Sequence, residues 1–153
     1  MEPKLLDYFF RPESVAVVGA STREGSVGQI LVDNLQKGDF PGRIYPINPK
    51  AAEILGAQAY PSLTAVGAPV DLAVICIPIK GVPEIIKECG QVGIKAAVII
   101  SAGGKEAGDQ GQAIDAAIHA EAQKAGVRYL GPNCMGLLCP PFTRRPRRPG
   151  CAT

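Results

Sequence analysis

Apolar residues fall along this chain in two alternating rhythms, short unbroken runs and longer stretches spaced at three and four. The clearest run is Val15-Ala16-Val17-Val18, which carries no charge. It breaks into Gly19-Ala20-Ser21-Thr22-Arg23-Glu24-Gly25-Ser26-Val27-Gly28, and apolar positions resume at Ile30, Leu31 and Leu35. Continuous Val and Ala is the pattern of a strand buried on both faces of a parallel sheet, and the spacing after the glycines is helical. A strand is predicted over 14–20 and a helix from Gly28 to about Gly38. A strand feeding a helix through glycines and hydroxyls offers a helix N-terminus to phosphate.

The same alternation continues. Gly42-Arg43-Ile44-Tyr45-Pro46-Ile47-Asn48-Pro49-Lys50 predicts a second strand, in which Pro46 argues for an irregular or edge-like end because proline lacks a ladder donor. A short helix is expected from Ala51 to Leu55, then a loop carrying Tyr60-Pro61-Ser62-Leu63. Val70 to Ile77 is the third predicted strand, stopped by Pro78. Pro83 suits the first turn of the next helix, whose apolar face is Ile85, Ile86 and Cys89. Ala96 to Ala102 predicts a fourth strand and Gly103-Gly104 its turn. Ile114, Ala117, Ile118 and Ala122 line one side of a helix over 109–125 that Gly126 stops, and Arg128-Tyr129-Leu130-Gly131 opens a fifth strand. Ahead of all this, Leu5, Leu6, Tyr8, Phe9 and Phe10 form an apolar segment ended by Arg11-Pro12, expected to pack against the domain.

Strands alternating with helices imply an α/β fold, a single doubly wound parallel sheet over residues 1–138 with right-handed crossovers and the strand order 3-2-1-4-5. Past Leu138 the pattern fails. Residues 139–153 hold four prolines and four arginines without an apolar period, and a disordered tail is expected there.

Composition narrows the function classes. With 153 residues, 46% hydrophobic and 20% charged, the chain can bury a real core, so disorder of the whole is excluded. The net charge of +2 depends on Arg144, Arg145, Arg147 and Arg148; the rest has 12 basic against 14 acidic residues, which is not a nucleic-acid-binding surface. No run approaches the roughly 20 apolar residues that span a bilayer, and no signal-peptide core follows Met1, so a cytoplasmic protein is expected. The five cysteines are odd in number and lack metal-ligand spacing; free thiols and no metal are expected.

In open α/β sheets ligands lie beyond the carboxyl ends of the strands, where the strand order reverses. Those ends carry Gly19-Ala20-Ser21, Asn48-Pro49-Lys50, Ile77-Pro78-Ile79, Ser101-Ala102-Gly103 and Gly131-Pro132-Asn133-Cys134, which should converge on one crevice. The glycines at 19, 25 and 28 depart from G-x-G-x-x-G, since Ser21 takes the central place. Enzymes using NAD place a carboxylate at the end of the second strand, whereas this chain has Asn48, Pro49 and Lys50. A cation there favours a nucleotide with an extra phosphate, coenzyme A or NADP. No catalytic residue is assigned: His119 falls mid-helix, Cys134 has no base placed to activate it, and Glu106 and Asp109 read as a helix start.

The run Leu6 to Lys50, with Phe10-Arg11-Pro12-Glu13-Ser14-Val15-Ala16-Val17-Val18-Gly19-Ala20-Ser21 and Tyr45-Pro46-Ile47-Asn48-Pro49-Lys50, resembles the N-terminal CoA-binding domain of NDP-forming acyl-CoA synthetases. That family includes ADP-forming acetyl-CoA synthetase and is related to the α subunit of succinyl-CoA synthetase. Ala59-Tyr60-Pro61-Ser62-Leu63, Pro69 to Val74, Ile99 to Gly103 and Gly131-Pro132-Asn133-Cys134-Met135-Gly136 are similar to its later blocks, so the likeness covers about residues 5 to 138. It implies coenzyme A or an acyl-CoA as ligand. Gly19, Ala20, Ser21, Ser26, Val27 and Gly28 would approach its phosphates and Lys50 would neutralise one. Asn48 and Pro49 stand with Lys50 at the same strand end, Ile77 and Pro78 would line the adenine side, and Ser101, Ala102, Gly103, Asn133 and Cys134 would border the pantetheine and thiol.

The family passes a phosphoryl group through a histidine on a following domain, and His119 does not match that position. The resemblance therefore implies a module that binds CoA without catalysing the overall reaction, expected to be a truncated or frame-shifted product or one piece of a split enzyme that works with other synthetase domains or subunits. The competing expectations are a stand-alone CoA-binding regulatory protein and an NADP-binding oxidoreductase fragment.

Overall fold

The computed structural model describes residues 6–135. The expected domain end at Leu138 and the expected tail, 139–153, lie outside the described residues.

Five parallel strands make the main sheet: β1 (Ser14–Val18), β2 (Arg43–Ile47), β5 (Leu72–Ile75), β6 (Ala96–Ile99) and β7 (Arg128–Leu130). Helices α1 (Asp7–Phe10), α2 (Val27–Lys37), α3 (Val82–Gln91) and α4 (Asp109–Ala125) connect or flank them. Every residue of β1 and β6 is buried, as central strands covered on both faces must be. Side chains alternate between two cores. Ala16, Val18, Ala73, Ile75, Ala97 and Ile99 face Ile86 and Cys89 of α3 and Ile118 and Ala122 of α4. Val15, Val17, Leu72, Ala96 and Val98 face Val32 of α2 and Phe9 of α1 on the other side. The apolar opening segment thus packs against the domain through Phe9. The fold is the expected doubly wound α/β sheet.

The strand order differs from expectation. It runs β2-β1-β5-β6-β7, so the third strand of the main sheet lies beside the first and not outside the second. Pro46 supplies the reason. On the outer edge of β2 the Tyr60 N–H donates to the Pro46 carbonyl at 2.9 Å and the Asn48 N–H to the Tyr60 carbonyl at 2.8 Å. That edge has no proline N–H for a further strand and is closed by the loop. At the opposite end of β1, the Ser14 hydroxyl accepts from the Asp71 N–H at 3.0 Å while Asp71 Oδ2 accepts from the Ser14 N–H at 3.2 Å, clipping β5 alongside β1.

The helix expected from Ala51 to Leu55 is a hairpin, β3 (Glu53–Ile54) paired antiparallel with β4 (Ala57–Gln58). Leu55 and Gly56 both have positive φ, 50° and 78°, which is the twist a two-residue hairpin turn requires. Five residues are too few to nucleate a helix unaided, and burial of Ile54 favours the turn. The other helices fall close to their predicted spans. Gly126 closes α4 with φ 66°.

Candidate functional site

Strand order reverses between β1 and β5, and a crevice of about 600 Å³ opens there at the carboxyl ends of both strands. One wall is the β1–α2 turn, with Gly19, Ala20, Ser21, Arg23, Ser26, Val27 and Gly28. Asn48 and Pro49 come from the end of β2, Pro61 and Ser62 from the following loop, and Cys76, Ile77, Pro78, Ile85 and Glu88 from β5 and α3.

The turn is built on two close backbone approaches. Gly19 has φ 96°, and a Cβ on it would come within 2.8 Å of the Cys76 carbonyl oxygen. A Cβ on Gly28 would overlap the Gly19 carbonyl, so α2 can sit tightly on the end of β1 only with glycine there. Ser26 caps α2, accepting from the Gln29 N–H at 3.3 Å and donating its proton to the Arg23 carbonyl at 2.7 Å. Its hydroxyl is therefore spent. The N–H groups of Val27 and Gly28, in the first helical turn, have no carbonyl to reach within the helix, and both residues line the crevice. Ser21 Oγ accepts from the Arg23 N–H at 3.0 Å and keeps its own proton to give.

Asn48 lines the crevice but serves the fold. Its Nδ2 donates to the Ala20 carbonyl at 2.7 Å, and its Oδ1 accepts from the Lys50 and Ala51 N–H groups at 2.7 and 3.1 Å. Lys50 itself is exposed and is not among the lining residues. Opposite the turn, Ile77, Pro78 and Ile85 give an apolar wall. The Cys76 thiol donates to the Val18 carbonyl at 3.2 Å, and burial pushes it up to about 11, so it is not a nucleophile near neutrality. Glu88 Oε1 accepts from both the N–H and the hydroxyl of Thr64 at 2.9 Å, tying the loop after Ser62 to α3.

The remaining predicted residues gather at the neighbouring strand ends and do not line this crevice. The Asn133 N–H donates to the Ser101 carbonyl at 2.9 Å and the Cys134 N–H to the Ile99 carbonyl at 3.3 Å, which brings 101–103 and 133–134 together. Glu106 Oε1 accepts from the Gly103 N–H at 2.7 Å, and such backbone bonds hold its carboxyl below the usual range. The Ser101 hydroxyl is buried with no partner among the described residues. His119 lies elsewhere, its Nδ1 3.5 Å from the Tyr129 hydroxyl on the α4–β7 side. Among the described residues no group of three His, Cys, Asp or Glu is placed to hold a metal ion, and no helix is long and apolar enough to cross a membrane.

Arg23, Pro61, Ser62, Cys76, Ile85 and Glu88 line the crevice without having been predicted. The sequence signal for Glu88 was its helical spacing three residues after Ile85. Arg23 stood inside the glycine turn but outside the glycines.

A family profile described as the CoA binding domain matches residues 13–140. This chain belongs to that family. The CoA-binding domain is 44% identical over 133 residues to an ADP-forming acetate–CoA ligase, isoform I, of Archaeoglobus fulgidus, covering 87% of the chain and 19% of the relative. It is 40% identical to the α subunit of the isoform I ligase of Pyrococcus furiosus, covering 89% of the chain and 30% of that subunit. Among solved structures it matches the apo dinucleotide-forming acetyl-coenzyme A synthetase 1 of Candidatus Korarchaeum cryptofilum with a TM-score of 0.80 and 40% identity, over 84% of the chain and 28% of that protein. The chain thus spans between a fifth and three-tenths of these relatives.

Proposed function

We propose that the crevice holds coenzyme A, free or acylated, for an NDP-forming acyl-CoA synthetase, the reaction being acyl-CoA + NDP + phosphate = carboxylate + CoA + NTP. The observation that carries this is that, at the switch point of the sheet, the first turn of α2 at Val27 and Gly28 lines the same crevice as the apolar residues Ile77, Pro78 and Ile85. Donors suit the diphosphate and the apolar wall suits the adenine ring. Gly19, Ala20 and Ser21 give the phosphates close backbone approach. Lys50 is available to a further phosphate at the end of β2, where an NAD enzyme keeps a carboxylate.

Ser101, Ala102, Gly103, Asn133 and Cys134 would receive the pantetheine arm as it leaves the crevice along the strand ends. The buried Ser101 hydroxyl supports this, because a buried donor without a partner gains from a ligand amide. Acyl activation and phosphoryl transfer would fall to other synthetase domains or subunits. A cytoplasmic setting fits the free thiols of Cys76, Cys89 and Cys134.

Titration calorimetry with CoA, acetyl-CoA, NADP and NAD tests the reading. CoA and acetyl-CoA should bind and NAD should not. Binding of NADP with no response to CoA would overturn it in favour of an oxidoreductase fragment.

A further inference from the structure

We propose that Arg23 is the cation that grips the diphosphate of the ligand, leaving Lys50 to the phosphate carried on the ribose. The proposal rests on the CoA reading of the crevice and assigns its charges.

Arg23 is the one basic residue among those lining the crevice. Its backbone is held on both sides, the N–H by the Ser21 hydroxyl at 3.0 Å and the carbonyl by the Ser26 hydroxyl at 2.7 Å. The Ser26 proton is thus occupied in fixing where the arginine starts from, while Ser21 holds the Arg23 N–H and keeps its own proton. The first turn of α2 contains no acidic residue, and Arg23 makes no ion pair among the described residues. Its charge therefore adds to that of the helix N-terminus and is not neutralised by it. Glu88, from α3, also lines the crevice and carries the opposite sign. A cavity positive at the turn and negative toward α3 orients a ligand whose phosphates lie at one end. The planar guanidinium can donate two parallel bonds to phosphate oxygens, which a lysine cannot.

Lys50 occupies a different place. Its N–H is bound to Asn48 Oδ1 at 2.7 Å, which fixes its Cα at the end of β2, outside the crevice lining. In dinucleotide folds that position meets the ribose hydroxyls, so a cation there faces a ribose phosphate.

Calorimetric titration of the full chain and its Arg23→Gln and Lys50→Gln variants, with CoA and with 3′-dephospho-CoA, separates the two roles. Arg23→Gln should weaken both ligands by a common factor of about ten to a hundred, the range of a bond to a charged group. Lys50→Gln should weaken CoA and leave 3′-dephospho-CoA unchanged. Arg23→Lys should fall between Arg23→Gln and wild type for both ligands, and matching thermal melts establish that each variant is folded. Unchanged affinity in folded Arg23→Gln overturns the proposal, as does a loss confined to CoA, which would move Arg23 to the ribose phosphate. A wild-type chain that binds neither ligand would overturn the CoA reading itself, a pattern distinct from either.

Discussion

Asn48 shows how a residue that lines a crevice can also hold the fold together. All three of its hydrogen bonds go to backbone groups, and they join the end of β1 to the turn after β2. Asn48→Ala should therefore cost about 1–3 kcal/mol of stability, the penalty for partly buried backbone groups left without partners, measured as a lower urea midpoint. The sequence expects Asn48 at the strand ends and the structure puts it on the crevice lining, but the direction of its side chain depends on Ala20, twenty-eight residues away. The thiols make a second residue-scale point. Burial lifts Cys76 to about 11 from its usual 9.0, and burial together with the neighbouring Glu88 charge lifts Cys89 to about 12. Unfolded thiols lose protons near pH 9 while the folded ones keep them, so the folded state binds more protons and stability falls as pH rises from 9 toward 11. Urea midpoints across that interval should fall more steeply in the wild type than in a Cys76→Ala variant.

At the scale of elements, the glycine turn departs from the dinucleotide fingerprint for a visible reason. Gly19 and Gly28 serve the two close backbone approaches, while the central glycine is absent and Ser21 instead holds the Arg23 N–H. The part of the loop after Ser62 is tied to α3 differently, by one carboxylate oxygen of Glu88 on Thr64. Glu88→Ala should free that loop and speed hydrogen exchange at the Thr64 amide, whereas Glu88→Gln keeps an oxygen acceptor and should remain close to wild type. Equal exchange in the two variants would mean that the loop is held by its packing alone. The contact of Thr64 with Glu88 is not legible in the sequence, because the two meet only through the fold. The hairpin at 53–58 was missed for a nearer reason: a few residues of helix-compatible composition carry less weight than the positive φ at Leu55 and Gly56.

Across the whole molecule, the crevice exists because the chain reverses its winding after β2. α1 and α2 cover one face, α3 and α4 the other, and the strand ends between them part at β1 and β5. On the function proposed above, the domain binds the carrier and the acyl and phosphoryl chemistry falls to other domains or subunits. The 153-residue chain by itself should therefore yield no acetyl-CoA from acetate, CoA and ATP; turnover in that assay would show that catalytic groups lie within it.

The sequence alone determined that this is a doubly wound α/β domain, because buried parallel strands and amphipathic helices write their periods directly into the chain. It also pointed to the CoA-binding family, through blocks that resemble those of its members, while Asn48-Pro49-Lys50 taken alone left coenzyme A and NADP both open. Only the tertiary structure decided which strand stands beside β1, which of the converging residues share one crevice, and that Arg23 lines it while Lys50 stands outside. Local pattern records which way a residue faces within its own element. Strand neighbours and cavity walls are settled by contacts between segments far apart in sequence, such as Ser14 with Asp71 and Asn48 with Ala20, and no period along the chain encodes them.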